Sequence, residues 1–173
     1  MAPFQSIVVE RFEDWSEKFG ALGLKVLQLT GESASDLKLL EKADIVLATP
    51  DKWDMLSRRW KQRKAIQAVN LFIVDELHLI GGEVGPTMEI IVSRMRYISS
   101  QAPNPIRVIG LSSSLANARD AGEWIGASTN CLFNFHPGVR PVPLEIYIQG
   151  FDITNFDTRM QAMIRPTYMA IKS

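Results

Sequence analysis

The chain has 173 residues, 46% hydrophobic and 22% charged, a balance that fits an ordinary globular domain and excludes a fibrous or disordered chain. Its 19 basic and 19 acidic residues cancel, so any affinity for nucleic acid has to come from local patches rather than net charge. Cys131 is the single cysteine, which excludes an intrachain disulfide and suits a reducing compartment; no apolar run is long enough to cross a bilayer as a helix, and no signal-peptide pattern opens the sequence.

Residues 1–6, MAPFQS, open the chain with Ala2-Pro3 and no strand ahead of them. Val8, Phe12, Trp15 and Phe19 then recur at helical spacing, which predicts a helix over 7–19, ended by Gly20 and Gly23. A short strand is expected over 25–29, running into Thr30-Gly31. A short helix comes next over 35–42 with Leu37 and Leu40 inward, then a second strand over 44–48. Thr49-Pro50-Asp51 is a good helix start: Thr49 can cap, Pro50 suits the first helical position, and Asp51 favours the positive end of the dipole. That helix carries Trp53, Leu56 and Trp60. It ends in the basic run Arg58, Arg59, Lys61, Arg63 and Lys64, which reads either as cations at a helix C-terminus or as a contact for RNA or protein.

The stretch from Asn70 to Gly82, NLFIVDELHLIGG, organises the rest. Leu71 to Val74 read as a strand buried on both faces, and it stops at two carboxylates, Asp75 and Glu76. Carboxylates at the carboxyl end of such a strand sit where open α/β sheets keep ligands. The pair can divide the labour of nucleotide hydrolysis, with Asp75 holding Mg²⁺ through water and Glu76 activating the attacking water. His78 is placed to sense the transferred phosphate. The plainer reading is a strand end capped by solvated acids.

Gly81, Gly82, Gly85 and Pro86 form a loop opening a helix, and not a phosphate loop, since no Lys-Ser/Thr comes after them. Met88, Ile91, Val92, Met95 and Ile98 make one apolar stripe and read as core. Another buried strand over 106–111 ends in Ser112-Ser113-Ser114, at the same sheet edge as Asp75 if the strands are parallel. A helix around 117–125, an apolar segment over 131–135, a Pro-rich turn over 136–143, an alternating strand over 144–149 and a weakly amphipathic stretch over 156–171 complete the chain. Strands alternating with helices predict right-handed βαβ units, a parallel sheet and helices on both faces.

The order Ala2-Pro3, Thr30-Gly31-Glu32, Thr49-Pro50-Asp51-Lys52-Trp53-Asp54, Asp75 to His78 and Ser112 to Ser114 resembles motifs Ia, Ib, Ic, II and III in the first RecA-like domain of the superfamily 2 DExH helicases. TPDKWD and Arg140 to Glu145, RPVPLE, are similar to the Ski-like branch. The strings SRRWKQRK, DELHLIGGE, SRMRYISSQ and FNFHPGVRPVPLE resemble the large two-cassette RNA helicases of the spliceosome, and next to them those of the activating signal cointegrator complex. The resemblance spans nearly the whole chain.

It implies an α/β RecA-like fold of the P-loop NTPase class, N-terminally truncated, with residues 1–150 as the first RecA-like domain and 151–173 as a connection toward the second. It implies ATP and Mg²⁺ in the intact protein, with none expected bound to this piece. Asp75, Glu76 and His78 would be the catalytic residues, with Asp75 on the metal. Ser112, Ser113 and Ser114 would couple the nucleotide site to the interdomain cleft, with His78 reaching Ser112 or Ser114. Pro3, Thr30, Gly31, Thr49 and Pro50 would lie along an RNA track. The implied partners are an snRNA duplex, spliceosomal proteins and the second RecA-like domain, in the nucleus.

Two departures open an alternative. GxxxxGK[ST] is missing from the sequence, and the third motif is Ser-Ser-Ser where active members carry Ser-Ala-Thr. The triplet resembles the C-terminal cassette, which is held to be catalytically weak and to act as a protein-binding and regulatory platform. The strands over 25–29, 44–48, 71–74 and 106–111 are nevertheless expected to form one parallel sheet, with the segment from Cys131 onward displaced, swapped or loosely held.

Overall fold

The structure, a computed structural model, describes residues 1–31, 33–103 and 105–172, with Ser33 and Ala34 described by their backbone alone. Within it the expected alternation of helix and strand is present: α1 (Gln5–Gly20), β1 (Val26–Gln28), α2 (Ser33–Leu40), β2 (Ile45–Leu47), α3 (Pro50–Ser57), α4 (Lys64–Gln67), β3 (Leu71–Val74), α5 (Gly85–Gln101), β4 (Arg107–Gly110), α6 (Ala118–Ile125) and α7 (Phe156–Lys172).

The strands do not form one continuous sheet. β1 pairs with β2 in parallel, Val26 opposite Ile45, and β3 pairs with β4 in parallel, Leu71 opposite Arg107 and Val74 opposite Gly110. The place between the two pairs is taken by the first two residues. The Met1 ammonium donates to Ile73 O at 2.8 Å, Asp75 N–H donates to Met1 O at 2.9 Å, and Ala2 N–H donates to Ala48 O at 3.0 Å. Residues that read as a strandless opening are therefore the seam joining the halves.

Side chains on successive strand positions point to opposite faces, and in β1 and β2 both faces are covered; in β3, expected to be buried on both faces, Phe72 and Val74 are buried while Leu71 is exposed and Ile73 only half-buried. Val26 and Leu47 pack with Ala2 and with Val8, Phe12 and Trp15 of α1. Leu27 and Val46 pack on the other side, in the main core with Phe72 and Val74 of β3, Trp53 and Leu56 of α3, and the α5 stripe. Met88, Ile91, Val92, Met95 and Ile98 are all 0% exposed, as their spacing predicts. Each such side chain stabilises the fold by roughly 1.5–3 kcal/mol relative to leaving it in water.

An ion-pair network ties α3 to α5. Asp54 accepts from Arg58 Nε at 2.8 Å and from Arg94 Nη1 at 2.7 Å, and Arg94 also donates to Ser57 Oγ at 2.8 Å. Burial alone would raise the Asp54 pKa, but the bonds and charges of Arg58 and Arg94 outweigh it and hold the carboxyl below its usual range. The helix carrying Trp53 ends at Ser57 rather than running through Trp60. Trp60 sits on a separate 3₁₀ turn, Trp60–Gln62, and Arg63 reaches back to donate to Leu56 O. The basic run is thus broken over a turn and α4, with Arg63 spent on capping.

The chain divides into two compact units, 1–134 and 135 onward. In the second unit the strand expected over 144–149 is not formed. Ile146, Tyr147 and Ile148 are 72%, 89% and 93% exposed. An alternating sequence becomes a strand only where a neighbour supplies ladder bonds and a face to bury, and none of the described residues does so here. α7 contains Pro166 and buries no residue.

Candidate functional site

β3 and β4 end in register, which brings residues 75–78 against residues 111–114. Leu111 N–H donates to Val74 O and Leu77 N–H donates to Leu111 O, both at 2.8 Å. Between those two bonds the chain reverses sharply at Glu76, at φ 53° and ψ 45°, the one non-glycine residue with positive φ among the described residues. The left-handed region costs an L-residue roughly 1–2 kcal/mol, and such strain clusters at functional sites.

The reversal is held on both sides. Asp75 Oδ1 accepts from Glu76 N–H at 3.0 Å, and Glu76 Oε2 lies 3.4 Å from His78 Nδ1. His78 Nδ1 also receives the Ser113 N–H at 3.3 Å. The expected link to Ser112 or Ser114 is therefore made to Ser113, and through its backbone rather than a hydroxyl. Ser112 Oγ donates to Ser113 O at 2.7 Å instead, and all three serines are exposed. A contact to a backbone amide does not depend on the side chain at position 113. His78 Nδ1 thus lies within reach of both the Glu76 carboxylate and the Ser113 N–H.

The donor set suits Mg²⁺. That ion takes oxygen ligands, keeps several waters and needs only one or two carboxylates. Asp75 and Glu76 are both partly exposed, and Asp75 retains lone pairs beyond the one Glu76 N–H occupies. Among the described residues no group of three or more His, Cys, Asp or Glu forms a cage that would hold a metal without phosphates.

A second cluster forms where β1 and β2 end. Lys52 Nζ donates to Leu29 O at 3.2 Å and to Gln5 Oε1 at 2.7 Å, so it links the ends of β1 and of the Pro3 loop to the start of α3. The five residues read as a track are brought to this end, but unequally. Pro3, Thr49 and Pro50 are buried, Gly31 is half-buried and Thr30 is exposed. Thr49 occupies the N-cap position of α3 without capping it; its Oγ1 is buried and has no hydrogen-bond partner.

Sequence reading missed two residues here. Asp36 is 1% exposed and accepts from Thr30 N–H, Thr30 Oγ1–H and Gly31 N–H. Its position, six residues past Thr30 and in the first turn of α2, was the available signal, but that pattern also fits a plain dipole acid. Lys52 lay inside TPDKWD without a role of its own.

The family profile of the DEAD/DEAH box helicases matches residues 1–121. The chain is 67% identical over 172 residues to DExH-box ATP-dependent RNA helicase DExH12 of Arabidopsis thaliana and 57% identical over 172 residues to the U5 small nuclear ribonucleoprotein 200 kDa helicase of Homo sapiens. It is 58% identical over 170 residues to the activating signal cointegrator 1 complex subunit 3-like protein of Dictyostelium discoideum. These matches take in 96–99% of the chain but only 8% of each relative. A crystal structure of the DUF1998 helicase MrfA shares the fold, with a TM-score of 0.59 at 19% identity, over 71% of this chain and 20% of that one. With its parallel strand pairs, helices on both faces and a profile match across most of its length, this chain belongs to the DEAD/DEAH box helicase family and carries an α/β, RecA-like portion of it.

Proposed function

We propose that the chain is part of the first RecA-like domain of an ATP-dependent RNA helicase of the spliceosome, acting in the nucleus on snRNA duplexes alongside spliceosomal proteins. Residues 1–150 would belong to that domain, and 151–173 would lead toward a second RecA-like domain. The observation that carries this is the strained turn at Glu76, bonded on one side to Asp75 and on the other to His78, which reaches Ser113. Mg²⁺ and ATP, when bound, supply the phosphate charge and its neutralisation. Asp75 would hold the metal, Glu76 would take the proton of the attacking water, and His78 would carry the state of that carboxylate to the loop 112–114. The cluster of Pro3, Thr30, Gly31, Thr49 and Pro50 would meet the RNA backbone, which makes binding sequence-tolerant and salt-sensitive.

Glu76→Gln in the native-length protein is the test. RNA-stimulated ATP turnover is expected to fall by about 100-fold or more, the usual weight of a general base, while RNA affinity holds. The isolated 173 residues are expected to be silent, since they hold no GxxxxGK[ST] sequence to cradle the phosphates. Turnover unaffected by Glu76→Gln would overturn the assignment. A native-length protein with no turnover would favour the platform reading, to which the Ser112–Ser114 triplet already points.

A further inference from the structure

We infer that Asp36 is a positioning residue for RNA binding: it sets the shape of the Thr30–Gly31 loop from beneath without touching the nucleic acid. This rests on the reading of that loop as part of the RNA track. Asp36 is 1% exposed, so it does not serve as a surface charge. Its Oδ1 accepts from Thr30 N–H and Thr30 Oγ1–H, each at 3.0 Å, and its Oδ2 accepts from Gly31 N–H at 2.9 Å. Both oxygens face donors, so only a carboxylate satisfies the pocket. An amide would set an NH₂ group against a partly buried N–H whichever way it turned.

The loop needs such an anchor. β1 is only three residues long and cannot by itself fix the loop that leaves its end. Gly31 lies at φ +101°, a conformation open to glycine and strained for other residues. Asp36 brings the two amides and the hydroxyl to one point, and Lys52, bonded to Leu29 O, covers the other side, with its Cε 3.7 Å from where a Cβ on Gly31 would lie. The donors of Thr30 and Gly31 that Asp36 binds face into the protein. The loop's outer face is presented to a ligand in one fixed form, and preorganisation of this kind shows up as affinity.

The test measures binding of a single-stranded oligoribonucleotide to the native-length protein by fluorescence anisotropy, together with amide exchange at Gly31. Asp36→Asn is expected to weaken binding about tenfold, the size of one lost charge-assisted hydrogen bond, and to speed Gly31 exchange. Thr30→Ala added to Asp36→Asn is expected to weaken it little further, because both act on one loop. Asp54→Asn serves as the control: it removes another buried carboxylate, one bonded to Arg58 and Arg94 rather than to the loop, and RNA affinity is expected to stay within about twofold. Equal losses from Asp36→Asn and Asp54→Asn would reduce Asp36 to a folding residue and overturn the proposal. So would intact affinity in Asp36→Asn where Thr30→Ala alone weakens binding. If Asp36→Asn does not fold, Gly31→Ala reshapes the same loop without touching the acid, and unchanged RNA affinity in it would equally overturn the proposal. If Thr30→Ala combined with Thr49→Ala leaves affinity unchanged, the RNA track itself falls, and the role of Asp36 falls with it.

Discussion

Carboxylates stand at the ends of both strand pairs, and their surroundings are opposite. Beside β1 and β2, Asp36 is closed off from water, with both oxygens occupied by Thr30 and Gly31 donors. Beyond β3, Asp75 and Glu76 are partly open; Asp75 engages the turn through Oδ1, and Glu76 makes a long contact with His78. A carboxylate with its bonding capacity filled holds structure; one with capacity to spare can take up a metal-bound water or a proton. The same contrast runs through the backbone. At the first site the unusual conformation falls on Gly31, which tolerates it. At the second it falls on Glu76, for which the left-handed region is strained.

The sharpest way to break the comparison is Gly85→Ala. A Cβ there would lie 1.8 Å from Ile80 O and 2.5 Å from Ile80 C, both backbone atoms of the turn after the acids. Neither can yield locally, so the start of α5 and residues 77–81 must separate. The expected loss is about 3 kcal/mol or more in urea unfolding. Exchange should rise at the Leu77 and Leu79 amides and much less at those of Leu29 and Thr30. Equal rises at both places would mean the two ends share one cooperative unit and are not separately built.

The seam between the pairs gives the next largest effect. Burial lowers the Met1 ammonium from 8.0 to about 6, although the Asp75 carboxylate pulls it the other way. The fold disfavours the cation. Above pH 8 both folded and unfolded chains are neutral at this group and its contribution is fully present. As pH falls, the unfolded chain takes the proton first, so stability drops between pH 8 and pH 6 and then levels. A step of that width corresponds to about 3 kcal/mol. Urea unfolding at about pH 8.5 and about pH 5.5, on the chain with a free amine, measures the step. Acetylation removes the charge and keeps an N–H for Ile73 O, and it should flatten the step.

Much of the first unit was legible because its signals are local. The α5 stripe, the Pro50 helix start and the β3 run ending in Asp75 each arise from periodicity or punctuation within a few residues, and each is present. The features that could not be read depend on partners remote in sequence. Met1 and Ala2 act as a seam only because residues 48, 73 and 75 come to meet them. The alternation in 144–149 looked like a strand but has no neighbour to pair with among the described residues. The site divides the same way. The pairing of Asp75 with Glu76 is written in adjacent letters. The choice of Ser113 N–H by His78, and the grip of Asp36 on Thr30 and Gly31, are set by the geometry of the turns.

The smallest effect tests the contrast most directly. If the left-handed backbone at Glu76 is held for chemistry, removing the side chain should relieve strain. Glu76→Gly frees roughly 1–2 kcal/mol of αL cost. Against that stand the extra entropy of glycine in the unfolded chain, roughly 0.5–1 kcal/mol, and the 3.4 Å contact with His78, which is worth little at a partly exposed site. The balance leaves the variant about as stable as the parent or more stable by up to about 1 kcal/mol, where most point mutations destabilise. Gly31→Ala runs the comparison in reverse: it puts a Cβ on a left-handed turn and should cost about 1 kcal/mol. Urea midpoints of the two variants, read side by side with unchanged m-values, give the answer. If Glu76→Gly is destabilised as much as Gly31→Ala, then Glu76 is held by its own contacts rather than against its preference. The turn at Asp75–His78 would then be a structural feature that happens to carry acids.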